Sequence, residues 1–321
     1  HDSMQDLCNI RLEHFTSNSP AMQKALKLAR AGAQSDLPML ILGESGTGKT
    51  LLAQAIHNGS KRRGQAFISF NASAMTETLL ESQLFGHEKG AFTGATQSMP
   101  GKFELADKGT LFFDEIADMS PSAQAKILRA VEYGEYERIG SGHVRKADVR
   151  IISATNKPLR KLVEAQQFRQ DLYFRLRVIT ITLPALRDRR EDLPQLIASE
   201  IKNCSIQQQK HITAIHPEAF EKLLNYPWPG NLRELHNTIQ TMVLLCDSET
   251  ILPDHVILED AATVSPSTQS QPPPPPDDDL SLATAVRRHI EYVLNLCGGN
   301  KSKTARILGI TRTTLDKKLN S

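Results

Sequence analysis

Five short, mainly apolar strand-like runs punctuate the first 190 positions of the chain, at residues 39–42, 66–70, 110–113, 149–153 and 178–183. Each is too short for a buried helix and reads as a strand covered on both faces. Between them the apolar positions recur with helical spacing, as at residues 51–57 and 123–131. Strand and helix in alternation predict an α/β domain with a parallel sheet covered by helices. From about residue 190 to 260 the apolar runs stop, and residues 193–204, 217–224 and 231–246 read as helices. In the last of these Leu232, Leu235, Ile239, Val243 and Cys246 form one apolar stripe, so a small helical lid without strands is expected. Five consecutive prolines at 272–276, followed by three aspartates, interrupt any periodicity. With no N–H and a fixed φ, that stretch predicts an extended spacer. Beyond it Leu282, Val286, Ile290, Val293 and Cys297 mark one face of a helix, and two short helices follow. The expected organisation is a linker or tag remnant at 1–14, an α/β subdomain at 15–189, a helical lid at 190–261, a linker at 262–279 and a small all-α domain at 280–321.

Composition narrows the class. The absence of any run of about 18 apolar residues predicts no membrane span and no membrane partner. Cys8, Cys204, Cys246 and Cys297 are far apart with no CxxC pair, so reduced cytoplasmic thiols are expected rather than zinc or a disulfide framework. The net charge of +2 conceals an asymmetry: residues 280–321 carry eight Lys or Arg against two Asp or Glu. A surplus of about +6 on so short a segment suggests a polyanionic partner.

The strongest local chemistry lies directly after the first apolar run. Gly43, Glu44, Ser45, Gly46, Thr47, Gly48, Lys49 and Thr50 fit the pattern GxxxxGK[ST] between a predicted strand and a predicted helix. The glycines let backbone N–H groups wrap phosphates, Lys49 reaches the β and γ phosphates, and the Thr50 hydroxyl suits Mg²⁺. A second apolar run ends in Asp114 and Glu115. Asp114 is expected to hold the magnesium and Glu115 to polarise the attacking water, which points to hydrolysis of ATP rather than binding alone.

In the C-terminal segment Asn300 and Thr311 are placed to cap two short helices, with Gly309 between them. Ala305, Leu308, Ile310 and Leu315 are spaced as the small core of a helix-turn-helix. The second helix would present Arg312, Thr313, Thr314, Lys317 and Lys318 to the major groove of double-stranded DNA. The preceding helix is a candidate dimer face, because two helices alone have too little core.

Residues 81–95 read ESQLFGHEKGAFTGA, and residues 226–235 read YPWPGNLREL. Both stretches resemble the NtrC-like bacterial enhancer-binding proteins, AAA+ activators of sigma-54 RNA polymerase, and the tail resembles a Fis-type helix-turn-helix. The resemblance covers roughly residues 15–260 and the segment after the linker. It implies that Gly90, Ala91, Phe92, Thr93, Gly94 and Ala95 form the loop that contacts sigma-54. From the residues alone, Phe92 between Gly90 and Gly94 is either exposed on a flexible tip for contact with a partner or tucked against its own domain. The resemblance further implies that Asn156 is a nucleotide sensor and Arg233 its counterpart in the lid. It implies that Asn71 holds Glu115 until the γ-phosphate is sensed, and that Arg169 and Arg175 reach into a neighbour's site in a homo-oligomeric ring of six or seven. Many members carry a sensory domain and belong to two-component systems; here the α/β pattern begins almost at once, which suggests truncation or regulation in trans. The rivals are a DNA-binding repressor with a vestigial P-loop, and an AAA+ remodeller of another protein.

Overall fold

The computed structural model describes residues 10–73 and 75–258, together with Lys301, Ala305 and Leu315. The chain divides into two compact units, His1–Thr263 and Val264–Ser321.

In the first unit the five apolar runs become β1 (Met39–Leu42), β2 (Phe67–Asn71), β3 (Thr110–Asp114), β4 (Arg150–Thr155) and β5 (Ile179–Thr182). They form one all-parallel sheet in the order β2-β3-β4-β1-β5. The central strands β1, β3 and β4 are buried on both faces and the edge strands β2 and β5 only in part, and side chains alternate between the faces. Leu111 and Phe113 pack to one side of the sheet, while Phe112, Met39, Ile41 and Ile152 pack to the other. The second face is covered by α1 (Pro20–Ala33) and α2 (Lys49–Asn58), through Met22, Leu26, Leu52 and Ile56. The first is covered by α3 (Glu77–Phe85), α4 (Pro121–Tyr133), α5 (Leu159–Glu164) and α6 (Gln170–Leu176). Local signals bound α4: the Ser120 hydroxyl accepts from the Ala123 N–H at 3.2 Å, Pro121 starts the helix, and Gly134 ends it in a left-handed conformation.

Register brings the chemistry together. Asn71 pairs with Asp114, Phe113 with Ser153 and Leu42 with Thr155, so the C-terminal ends of four strands lie along one edge. Ligands bind at that edge in open α/β sheets.

The lid consists of α7 (Leu193–Gln207), α8 (Pro217–Asn225) and α9 (Asn231–Leu245). Its core contains the predicted stripe residues Leu235, Ile239, Val243 and Cys246, with Trp228 fully buried and donating from Nε1 to the Leu223 carbonyl at 3.0 Å. Leu232 is only half-buried, because it turns toward the phosphate loop. The expectation of a strandless lid needs correcting: Ala214–Ile215, between α7 and α8, pairs in parallel with Thr250–Ile251, beyond α9. Two short antiparallel ribbons also decorate the α/β part, Gly86–His87 with Met99–Pro100 and Glu135–Glu137 with Val144–Lys146.

In the second unit Lys301, Ala305 and Leu315 are helical; Ala305 and Leu315 are buried, as their core spacing predicted, and Lys301 is exposed. The proline-rich linker, Leu308, Ile310 and the expected DNA contacts Arg312, Thr313, Thr314, Lys317 and Lys318 lie outside the described residues.

Candidate functional site

The loop from Gly43 to Gly48 leaves β1 and enters α2 through two glycines with positive φ, Gly46 at 78° and Gly48 at 97°. Such a turn aims successive N–H groups into one concavity at a helix N-terminus, which is an anion site. Lys49 is 6% exposed; its ammonium donates to the Gly43 and Glu44 carbonyls at 2.9 and 3.0 Å and lies 3.8 Å from Glu115. Burial pushes the Lys49 pKa down, and the carboxylates of Glu115 and Asp114 oppose the shift. The ammonium is thus desolvated beneath the loop, where its field on a bound anion is little screened.

Glu115 has a left-handed backbone with φ 54°, a strained conformation for a residue with a Cβ. The strand end holds it so that its carboxylate accepts from the Thr155 hydroxyl and the Asn156 N–H, both at 3.2 Å. Lys49, Glu115 and Asn156 therefore converge. Asp114 is half-buried on the same edge, and Thr50 opens α2 with its side chain exposed. A hydroxyl and a carboxylate beside a phosphate loop are hard oxygen donors of the kind Mg²⁺ takes. Asn71 stands next to Asp114 in register, but its Oδ1 accepts from the Ser73 N–H at 2.8 Å, and the Glu115 carboxylate is bonded on its Thr155 side.

The lid closes over this loop by contacts that sequence reasoning missed. The Leu232 N–H donates to the Gly46 carbonyl at 2.9 Å. Asn231, fully buried with φ 54°, accepts from the Leu186 N–H at 2.7 Å and donates from Nδ2 to the Ser45 carbonyl at 3.0 Å and to Glu44 at 3.2 Å. Glu44 is clamped by Arg187, whose Nη1 donates at 2.9 Å; that hydrogen bond is the main reason the Glu44 pKa is lowered. Arg233 Nη1 reaches the Ser45 hydroxyl at 3.3 Å. The approach is so close that a Cβ on Gly46 would meet the Gly230 carbonyl at 2.2 Å. Asn231 lay inside the quoted YPWPGNLREL stretch, and a signal was available: asparagine tolerates a left-handed backbone where a glycine has just preceded it.

Beside the loop a cleft of about 340 Å³ is lined by Phe15, Thr47, Leu183, Arg189 and Leu196 among others. Arg189 is 4% exposed, and its Nε has no hydrogen-bond partner among the described residues. Burial lowers its pKa, against the attraction of Asp192.

The GAFTGA stretch forms a closed turn, with the Gly90 N–H donating to the Ala95 carbonyl at 2.8 Å and Ala95 N–H to Phe92 at 3.0 Å. Thr93 and Gly94 are exposed at the tip. Of the two readings of Phe92 the structure is nearer the tucked one: the residue is half-buried, its ring T-stacked on His87 at 5.0 Å. The adjacent imidazole, itself hydrogen-bonded to Ser82 at 2.8 Å, offers an edge that an aromatic face attracts. The base of the turn is tied to the second ribbon. Glu88 N–H donates to the Ile139 carbonyl at 2.9 Å, and Arg138 bridges Glu88 at 3.2 Å and Glu104 at 2.8 Å.

The two predicted neighbour-facing arginines differ. Arg169 is held by Asp171 through bonds of 3.0 and 2.7 Å. Arg175 is exposed on α6 and has no ion pair among the described residues.

Comparison with known proteins agrees with this geometry. The sigma-54 interaction domain family matches residues 15–182, the AAA+ ATPase lid domain family residues 187–273, and the bacterial regulatory protein, Fis family, residues 285–321. The transcriptional regulatory protein ZraR of Escherichia coli K12 is 45% identical over 305 residues, covering 95% of this chain and 68% of that protein. The Nif-specific regulatory protein of Klebsiella pneumoniae is 43% identical over 300 residues, covering 94% and 57%. The crystal structure of NtrX from Brucella abortus in complex with ATP superposes with a TM-score of 0.70 at 31% identity, covering 99% of this chain and 72% of that one.

Proposed function

Because the chain belongs to the sigma-54 interaction domain family, with an AAA+ lid and a Fis-type DNA-binding segment, it is an ATPase and a sigma-54-dependent transcriptional activator, and we propose that it spends ATP hydrolysis on remodelling the closed complex of sigma-54 RNA polymerase at a promoter. The supporting observation is the meeting of Lys49, Glu115 and Asn156 under a lid that carries Arg233.

In this reading the N–H groups of residues 43–48 and the Lys49 ammonium bind the ATP phosphates. Mg²⁺, held by Thr50 and Asp114, would neutralise phosphate charge. Glu115 orients and deprotonates the attacking water, held in place by Thr155 and Asn156. Asn71, beside Asp114, is the group to which Glu115 would turn at another stage of the cycle. Asn156 and Arg233 report the γ-phosphate to strand and lid. Arg175, and Arg169 once released from Asp171, supply positive charge to a neighbouring subunit's site. The same reading takes the chain to work as a ring of six or seven copies, with a dimer contact in the C-terminal segment and a cytoplasmic setting.

Gly90, Ala91, Phe92, Thr93, Gly94 and Ala95 then contact sigma-54, and Glu88, Glu104 and Arg138 carry movement to that loop from the second ribbon. Arg312, Thr313, Thr314, Lys317 and Lys318 bind upstream DNA and concentrate the ATPase near the promoter.

Two variants test the site. Lys49→Ala is expected to weaken nucleotide binding, and Glu115→Ala to bind ATP but hardly hydrolyse it. Near-normal turnover by Glu115→Ala would remove it as the base.

A further inference from the structure

We propose that the lid carries a divalent-cation site of the zinc class, built from Glu200 and Cys204 on α7 and His236 on α9. Among the described residues these three bring one carboxylate oxygen, one sulfur and one imidazole nitrogen within 4.8 Å of one another. Glu200 and Cys204 lie one turn apart on the same face of α7, and His236 faces them from α9. Its Nδ1 is 2.9 Å from Glu200 Oε2. The cysteine spacing predicts reduced thiols rather than zinc; the fold, however, brings a single thiol together with two ligands of other types.

The chemistry selects the cation. Thiolate and imidazole favour Zn²⁺-class ions over Mg²⁺ or Ca²⁺, which take oxygen. Tetrahedral bonds of about 2.0–2.3 Å place ligand atoms roughly 3.5 Å apart, so the Cys204 sulfur draws in by about 1 Å while Glu200 and His236 give up their mutual hydrogen bond and open slightly around the ion. Cys204 is fully buried, while the side chains of Glu200 and His236 are 30% and 42% exposed. The cation therefore enters from the solvent side, and water completes the fourth position. Binding forms the sulfur–metal bond and releases the Cys204 proton to solvent, with no change of oxidation state.

The site is not remote from the nucleotide. Glu200 also lines the cleft beside the phosphate loop, and His236 follows Arg233 by three residues on α9. A cation bridging α7 and α9 would fix the cleft wall to the helix whose first turn holds the loop.

The test uses the full chain stripped of metal with a chelator and titrated with Co²⁺ in the absence of nucleotide. A cobalt–thiolate charge-transfer band is expected, since the Thr50 and Asp114 site holds no sulfur. Zn²⁺ should abolish the band by competition and raise the melting temperature of the lid. Cys204→Ser should lose the band. His236→Gln, altering a half-exposed side chain, should weaken Co²⁺ by more than the roughly 10–100-fold that loss of an outer-shell partner costs, with ATPase in Mg²⁺ retained. Circular dichroism melts of both metal-free variants check that each is folded. No thiolate band in the wild-type chain, or a band that survives unchanged in both folded variants, overturns the proposal.

Discussion

Replacing Asn231 with alanine should loosen the lid from the phosphate loop, and the cost can be worked from its contacts. The side chain is fully buried and satisfies the Leu186 N–H at 2.7 Å while donating to the Ser45 carbonyl at 3.0 Å. Alanine orphans the Leu186 N–H, at about 1–3 kcal/mol, and removes a donor from Ser45, at about 1 kcal/mol. It also leaves a Cβ without a compensating polar group at φ 54°, for about 1 kcal/mol more. The total is roughly 3–5 kcal/mol, which for a unit of this size lowers the melting temperature by roughly 10 °C. The assay is thermal unfolding by circular dichroism, with the dissociation constant of a fluorescent ATP analogue alongside. Asn231→Asp separates the causes. Aspartate keeps the acceptor for Leu186 and tolerates the backbone, but puts a second carboxylate where Nδ2 now stands 3.2 Å from Glu44. Its defect should therefore ease as pH falls and one of the two carboxyls takes a proton, whereas the alanine defect should not. An alanine variant that melts within a degree or two of the wild type and binds nucleotide normally would refute the latch.

Three further outcomes are expected. Burial lowers the pKa of His57, whose Nδ1 lies 2.9 Å from the Thr110 hydroxyl; the unfolded chain then binds a proton the folded one refuses, so stability is present above about pH 6.5 and is lost as pH falls toward the lowered value. Melts at pH 7.5 and 5.5 should show a smaller difference for His57→Gln than for the wild type, and an equal difference would remove His57 from that role. Arg175→Ala should lose about 10³–10⁵ in turnover if it acts as a finger, and mixing it with Lys49→Ala should restore some activity; intact assembly with no rescue at any ratio and turnover independent of concentration would exclude action across subunits. Deleting residues 280–321 should abolish specific DNA binding and spare ATPase, and binding by the whole chain should fall steeply with salt; a salt-insensitive interaction would contradict the reading of the tail.

What the sequence disclosed follows from the range of each interaction. The strands were legible because each carries a short cluster of apolar residues between helical stretches, and the edge that carries Asn71, Asp114 and Leu42 follows once the sheet is parallel. The lid latch was not legible: Asn231 is 45 residues from Leu186, and Glu44 is 143 from Arg187, with no periodicity to couple them. The placing of Phe92 stayed open in the sequence because flanking glycines allow either an exposed or a tucked ring, and its partner, His87, lies in the short ribbon Gly86–His87 with Met99–Pro100 that local pattern does not announce. Arg169 and Arg175 look equivalent in the chain, yet one has a carboxylate two residues away in the right rotamer and the other does not. Cys204 and His236 meet only because α7 packs on α9.

The account rests on hydrolysis being transmitted through the exposed tip of the turn at residues 90–95, and Thr93→Ala tests that most directly. Thr93 is exposed, away from Lys49, Asp114 and Glu115 in sequence. ATP turnover and open-complex formation at a sigma-54 promoter should be measured on the same preparation. The expected result is turnover within about twofold of the wild type with open-complex formation lost. Parallel loss of both would make the turn part of the ATPase fold, and full retention of both would contradict its role as the contact to sigma-54.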